Sequence, residues 1–138
     1  MLVNMGSNVD NFNNERNFLM TYEEEQQYNK LSYSGRMEYD HIKSMHPNWS
    51  HSQIMTKLST DITIGKMIEN GRDVDVDNPA ILKEILEGAK SFLIGAGIFI
   101  AAVFEVIDDA LDALGDLICR GISYIGDKLS EFWDWLTS

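Results

Sequence analysis

The sequence from Pro79 to Leu136 reads PAILKEILEGAKSFLIGAGIFIAAVFEVIDDALDALGDLICRGISYIGDKLSEFWDWL. Its large apolar residues recur with the period of about 3.6 residues that describes an α-helix, and its charged residues fall on the opposite side of the helical wheel. The apolar face covers about half of the wheel, whereas a helix that packs on one partner needs a stripe of roughly 100°. The pattern therefore predicts a long amphipathic helix that is buried against more than one neighbour.

Residues 91–104 carry no charge, so this middle part is apolar on all sides. Three structures are compatible with it: a helix surrounded by protein, a segment inserted in a bilayer, or a helical hairpin that turns at Gly95-Ala96-Gly97. Because a membrane-spanning helix needs about 20 apolar residues, burial in protein is favoured. The residues that would enter a bilayer, all within 91–107, are Phe92, Leu93, Ile94, Ile98, Phe99, Ile100, Val103 and Phe104.

Helix-start signals divide the part of the chain before Pro79. Thr21 with Glu24, and Ser50 with Gln53, match the capping box, in which two side chains satisfy each other's backbone amides. The predicted fold class is all-α, with the C-terminal part as one long helix or as a helical hairpin. The predicted organisation is a polar asparagine-rich tail (1–20), a three-helix head (21–71), an acidic hinge (72–78) and a long amphipathic arm (79–138).

The 138-residue chain has a formal net charge of −11. No basic stripe is present that could displace counterions from phosphates, so the sequence argues against nucleic acid as a partner. The polar face of the arm also lacks the lysine and arginine residues with which helices bind anionic lipid surfaces. Residues 1–17 contain no apolar segment of the kind found in signal peptides, which favours an intracellular or virion-associated protein.

The residue types that carry chemistry do not form a recognisable catalytic or metal-binding motif. Cys119 is the only cysteine, and His41, His46 and His51 recur every five residues, which is not the spacing of one helix face. These histidines supply too few ligands for zinc, so a solvated or capping role is expected for them. No Gly-rich phosphate loop and no nucleophile elbow occurs. The sequence predicts a protein that is not an enzyme and that uses no metal ion or cofactor.

The wide apolar face of the arm supplies the main functional prediction. We expect a helical structural or assembly subunit that binds protein partners in a homo- or hetero-oligomer, for example a phage virion or a similar particle. The alternative is a small membrane-perturbing protein, holin-like or ejected from a virion, that inserts residues 91–107. Trp49 is expected either to pack on the helix that follows it or to bind a partner. The residues predicted to contact a partner or another copy are Leu111, Leu114, Ile118, Ile122, Ile125, Leu129, Phe132, Trp133, Leu136 and Trp49.

Overall fold

The computed structural model describes residues 20–120 and, beyond them, Asp134 alone. All regular secondary structure in this part of the chain is α-helical, which confirms the predicted fold class. Within residues 20–120, five helices follow one another: α1 (Tyr22–Asn29), α2 (Tyr33–Met45), α3 (His51–Glu69), α4 (Pro79–Gly95) and α5 (Ala101–Cys119).

Side-chain caps fix where α1, α3 and α4 begin. The Glu24 amide donates to Thr21 Oγ1 at 3.0 Å, and the Thr21 amide donates to Glu24 Oε1 at 3.1 Å. Ser50 and Gln53 form the same reciprocal pair at the start of α3, with distances of 3.2 and 2.9 Å. Both predicted capping boxes are therefore confirmed. Asn78 caps α4, where the first helical residue is a proline that has no amide to satisfy.

The chain turns sharply after α4. Gly97 adopts a left-handed backbone conformation with φ of 76°, which residues with a side chain rarely accept. The Gly97 amide donates to the Ile94 carbonyl at 2.9 Å, and the Ile98 amide donates to the Leu93 carbonyl at 2.8 Å. These two bonds complete a Schellman motif, so the last carbonyls of α4 are satisfied and the helix ends. A single helix running from residue 79 to the C-terminus is therefore wrong, and the hairpin alternative is confirmed for residues 79–119.

Helix α3 lies at the centre of the molecule and contacts α2, α4 and α5. Its residues Ile54, Met55 and Leu58 have no exposed surface. A second side of α3 buries hydroxyl groups, and each of them donates to a backbone carbonyl of α3, which avoids unsatisfied donors in the core. These hydroxyl residues are Thr56, Ser59, Thr60 and Thr63. The helix surrounded by protein is therefore α3, and not the 91–104 segment.

One hydrophobic core joins all five helices. Buried residues of the head, such as Tyr39 and Leu58, belong to the same cluster as Leu93 and Ile107 of the hairpin. The described residues therefore do not confirm a head that is separate from an arm. The reason is that α3 lacks enough apolar neighbours within residues 21–71, and the hairpin of α4 and α5 folds back to cover it.

Helices α3 and α4 approach each other closely at Gly88. A Cβ atom at this position would lie 2.5 Å from Cγ2 of Thr63. The Thr63 side chain is held in place, because its Oγ1 donates to the Ser59 carbonyl at 2.9 Å. The hydrogen atom of a glycine therefore allows a helix contact that no larger residue fits.

We expect Gly88→Ala to lower the free energy of unfolding by about 1–2 kcal/mol, because overpacking outweighs the gain of about 1 kcal/mol in helix propensity. Urea unfolding followed by circular dichroism measures this change. Thr63→Ser removes Cγ2 and should relieve most of the loss in the double variant. Gly65→Ala is the control, since nothing lies within 4 Å of a Cβ there, and it should raise stability by up to about 1 kcal/mol. An equal gain at Gly88 would contradict the close contact.

Candidate functional site

The residues predicted to enter a bilayer divide between the core and the surface. Leu93, Ile98, Ile100 and Val103 are at most 8% exposed and belong to the hydrophobic core. Insertion of this segment in a membrane would require those four side chains to leave the core. Within the described part of the chain, no helix combines the length and the hydropathy needed to cross a bilayer. The other four candidates are only partly buried (Phe92 and Phe104) or exposed (Ile94 and Phe99).

The residues of α5 predicted to bind a partner also separate into two groups. Leu114 is fully buried, so the prediction that it contacts a partner is wrong, because its side chain is used in the core of its own chain. Leu111 is partly buried, and Ile118 is 40% exposed. The remaining predicted contacts lie outside the described residues: Ile122, Ile125, Leu129, Phe132, Trp133 and Leu136.

On an open side of the hairpin, Lys90 of α4 connects this helix to α5. Lys90 Nζ lies 2.7 Å from Asp108 Oδ1 and 6.0 Å from the centre of the Phe104 ring. Ile94 is one helical turn from Lys90, and therefore lies on the same side of α4. Leu111 lies two turns along α5 from Phe104, with Ile118 a further two turns on.

We call this surface the hairpin flank and define it by Ile94, Phe104, Leu111 and Ile118. Ile94 is 47% exposed and Ile118 is 40% exposed, while Phe104 and Leu111 are partly buried. Phe99 extends the apolar surface at the turn, where it is 64% exposed and packs edge-on against the Phe104 ring. Apolar side chains are thus aligned along about 21 Å of helix, the rise of the 14 residues between Phe104 and Ile118.

Exposed acidic side chains follow α5, and Asp108 and Asp112 lie beside the hairpin flank. The exposed acidic residues of this helix are Glu105, Asp108, Asp109, Asp112 and Asp116. Among the described residues, the ion pairs of α5 are limited to the one between Asp108 and Lys90. The α5 side of the flank is therefore an apolar line with a strongly negative margin.

Trp49 is buried, with 6% of its surface exposed, so the prediction that it serves as an exposed anchor for a partner is wrong. Its ring stacks on His46, with 3.7 Å between ring centres and an angle of 8° between planes. The other expectation for Trp49, that it packs on the helix that follows it, stays a prediction, and Trp49 belongs to the same core cluster as Ile54 and Met55 of α3.

A buried network of hydrogen bonds links α1, α2, α3 and the hairpin turn. Gln27 Nε2 donates to the Phe99 carbonyl at 3.3 Å, so Gln27 Oε1 is left to accept from His51 Nε2 at 2.8 Å. The neutral His51 ring then accepts the Tyr39 hydroxyl at Nδ1, also at 2.8 Å. The predicted solvated or capping role is wrong for His51, which is 8% exposed. No local sequence signal could reveal this network of hydrogen bonds, because its members lie up to 72 residues apart.

The environment of His51 favours its neutral form. Burial is the largest effect and lowers the pKa of His51 below its usual value of 6.5, while Glu24 raises it and Lys43 lowers it further. The unfolded chain therefore binds more protons than the folded chain in the pH range just below 6.5. The stability supplied by neutral His51 is complete above that value and is lost as the pH falls through the folded-state pKa.

We expect the free energy of unfolding to decrease as the pH is lowered from about 7.5 to about 5.5, a range in which most carboxylates stay ionised. Urea titrations at both values measure the decrease. His51→Gln should show a smaller decrease, because the titrating group is gone. His41→Gln removes an exposed histidine instead and should keep the decrease of the unmodified protein. Identical pH dependence in the His51 variant and the unmodified protein would contradict the role given to burial.

A concave surface lies between α3 and α4. It has a volume of ≈ 590 Å³ and is lined by Thr63, Lys66, Gly88, Ser91, Phe92, Gly95 and Ala96. Lys66 Nζ lies 5.9 Å from the centre of the Phe92 ring, at the edge of this groove. Gly88, Gly95 and Ala96 on α4 have little or no side chain and so leave this space open between the two helices.

Comparison with known proteins identifies no relative of this chain. No family model, no curated protein and no solved structure matches the chain. The function must therefore be inferred from the surfaces themselves. Of these, the hairpin flank combines two exposed and two partly buried apolar side chains with acidic side chains beside them.

Proposed function

We propose that this protein is a non-enzymatic helical subunit that assembles with other protein chains through its hairpin flank. The observation that carries the proposal is the alignment of Ile94, Phe104, Leu111 and Ile118 along one open side of a hairpin whose other side is core. Exposed apolar side chains occur singly on most surfaces, but a row of exposed and partly exposed ones on the same side of a hairpin is typical of an interface. The larger assembly would be a phage virion or a comparable particle.

The distribution of polar groups supports a structural role over a catalytic one. His51, which is both buried and titratable, has both ring nitrogens engaged in hydrogen bonds within the fold. Arg72 and Glu84 pair with each other at the surface, with 2.7 Å between nitrogen and oxygen, and so connect the linker after α3 to α4. These groups hold helices together within the fold, and the hairpin flank is a surface that they leave open to other molecules.

The proposal is tested on the full chain in cells that naturally produce it. An epitope-tagged copy, expressed at its normal level, should elute from gel filtration of a cell extract in a complex much larger than the 15.7 kDa monomer. Ile118→Asp should move the protein to the monomer position. Elution of the unmodified chain as a monomer in fresh extract would contradict the proposal.

A further inference from the structure

We infer that the hairpin flank receives an amphipathic helix of a partner protein that carries lysine or arginine beside its apolar stripe. This inference rests on the proposed function and adds the chemical class of the partner. The spacing of the apolar residues on α5 and the charge beside them support it.

The spacing of the flank suits a helix. Phe104, Leu111 and Ile118 are separated by seven residues each. Side chains that repeat every seven residues stay aligned toward a neighbouring helix that packs at a small crossing angle, with each side chain fitting between those of the neighbour. A strand or a flat sheet offers no such periodic set of gaps. The partner element is therefore helical and at least about 21 Å long, the length of this line.

Charge decides which helix fits. Asp108 and Asp112 lie on the solvent side of the line formed by Phe104, Leu111 and Ile118, and Glu105 lies further round the same helix. Asp108 already has Lys90 as a partner, whereas the described residues supply no ion pair to Asp112. Lysine or arginine on the incoming helix would face this margin, as charged side chains do beside the apolar seam of paired helices.

The same charge disfavours a second copy of the chain as the occupant. The protein has a formal net charge of −11, so two copies repel each other as they approach. A symmetric contact through α5 would also place the Asp112 margin of one copy near that of the other. A basic helix removes both penalties.

The inference can be tested by nuclear magnetic resonance, because the full chain of 15.7 kDa is small enough for amide spectra. The probe is a synthetic helical peptide of about 21 residues with leucine at the seam positions and lysine at the flanking positions. A matched peptide has glutamate in place of every lysine. We expect the lysine peptide to shift the amides of residues 104–119 and 90–94, and the glutamate peptide to shift none of them.

Two pairs of variants check the geometry. Ile118→Asp should lower the affinity of the protein for the lysine peptide at least about ten-fold, whereas Asp116→Ala should change this affinity less than about two-fold. Asp112→Lys should also lower the affinity for the lysine peptide about ten-fold, and Asp109→Lys is the matched control. Asp109 is on the same helix and its reversal changes net charge equally, but its side chain points away from the line. Equal effects at positions 109 and 112 would show that only the overall charge matters, and would overturn the inference.

The remaining outcomes each overturn the inference in a distinct way. Shifts confined to Thr63, Lys66 and Phe92 would place the peptide in the groove between α3 and α4. Shifts at Leu111 and Ile118 that depend on protein concentration, without peptide, would identify a second copy as the occupant. Contacts from residues 121–138 to Leu111 in the peptide-free protein would identify the chain's own C-terminal segment.

Failure of this inference and failure of the proposed function are distinguishable. A large complex in cell extract together with no binding of the lysine peptide would retain the assembly role and refute the basic helix. A monomer in cell extract together with specific binding of the lysine peptide would refute the assembly role and leave the surface chemistry standing.

Discussion

Replacing Leu114 with aspartate is expected to unfold the protein. The Leu114 side chain has no exposed surface and lies in the core beneath α5. Loss of a buried leucine costs about 2–5 kcal/mol, and an isolated carboxylate in an apolar site adds several more. This sum reaches the whole stability of a typical domain, about 5–15 kcal/mol. Circular dichroism at neutral pH should show loss of most helical signal, and Leu114→Ala should give a folded protein that unfolds at lower urea concentration.

The control for this experiment lies one helical turn further along α5. Ile118 is 40% exposed, so Ile118→Asp should leave the helical signal unchanged and alter the free energy of unfolding by no more than about 1 kcal/mol. Unfolding by both aspartate substitutions would show that α5 buries both residues, and would contradict the orientation of the helix.

Ile118→Asp is expected to have its large effect on assembly. A carboxylate at this position would be desolvated in an apolar interface, and the penalty for an unpaired charge there is several kcal/mol. The variant should therefore be folded and monomeric in extracts where the unmodified chain is part of a complex. Gel filtration of the tagged protein, with circular dichroism of the purified variant, measures both properties. Asp116→Ala, two residues away on the solvent side, should keep the complex intact.

The helix boundaries were largely predictable from the sequence, because they depend on local chemistry. Thr21 with Glu24, and Ser50 with Gln53, are capping residues at a fixed spacing, and the structure has both pairs in place. The turn at Gly97 was one of three alternatives, since a glycine within a helical pattern can either break the helix or allow close packing. Ile98, just after the turn, is fully buried in a core that also contains residues far away in the sequence, and such burial cannot be read from the glycines themselves.

The burial of individual side chains on each helix was less predictable from the sequence. Leu114 and Ile118 lie in the same half of the helical wheel, yet one is buried and the other is 40% exposed. A half-circle is too wide to separate residues that face α3 and α4 from residues at the edge of that contact. The burial of His51 depends on contacts between helices in the same way, so it could not be inferred from the residues around it.

The most direct test of assembly through the hairpin flank is photo-crosslinking in cells that make the protein. A benzophenone derivative of phenylalanine in place of Phe104, which keeps an aromatic ring at this partly buried position, should crosslink to a second protein chain under ultraviolet light. The same residue in place of Tyr33, which is 72% exposed on α2, is the matched control and should give no adduct. Adducts from position 104 alone are the predicted result. Adducts from position 33 alone, or from neither position, would contradict assembly through this surface.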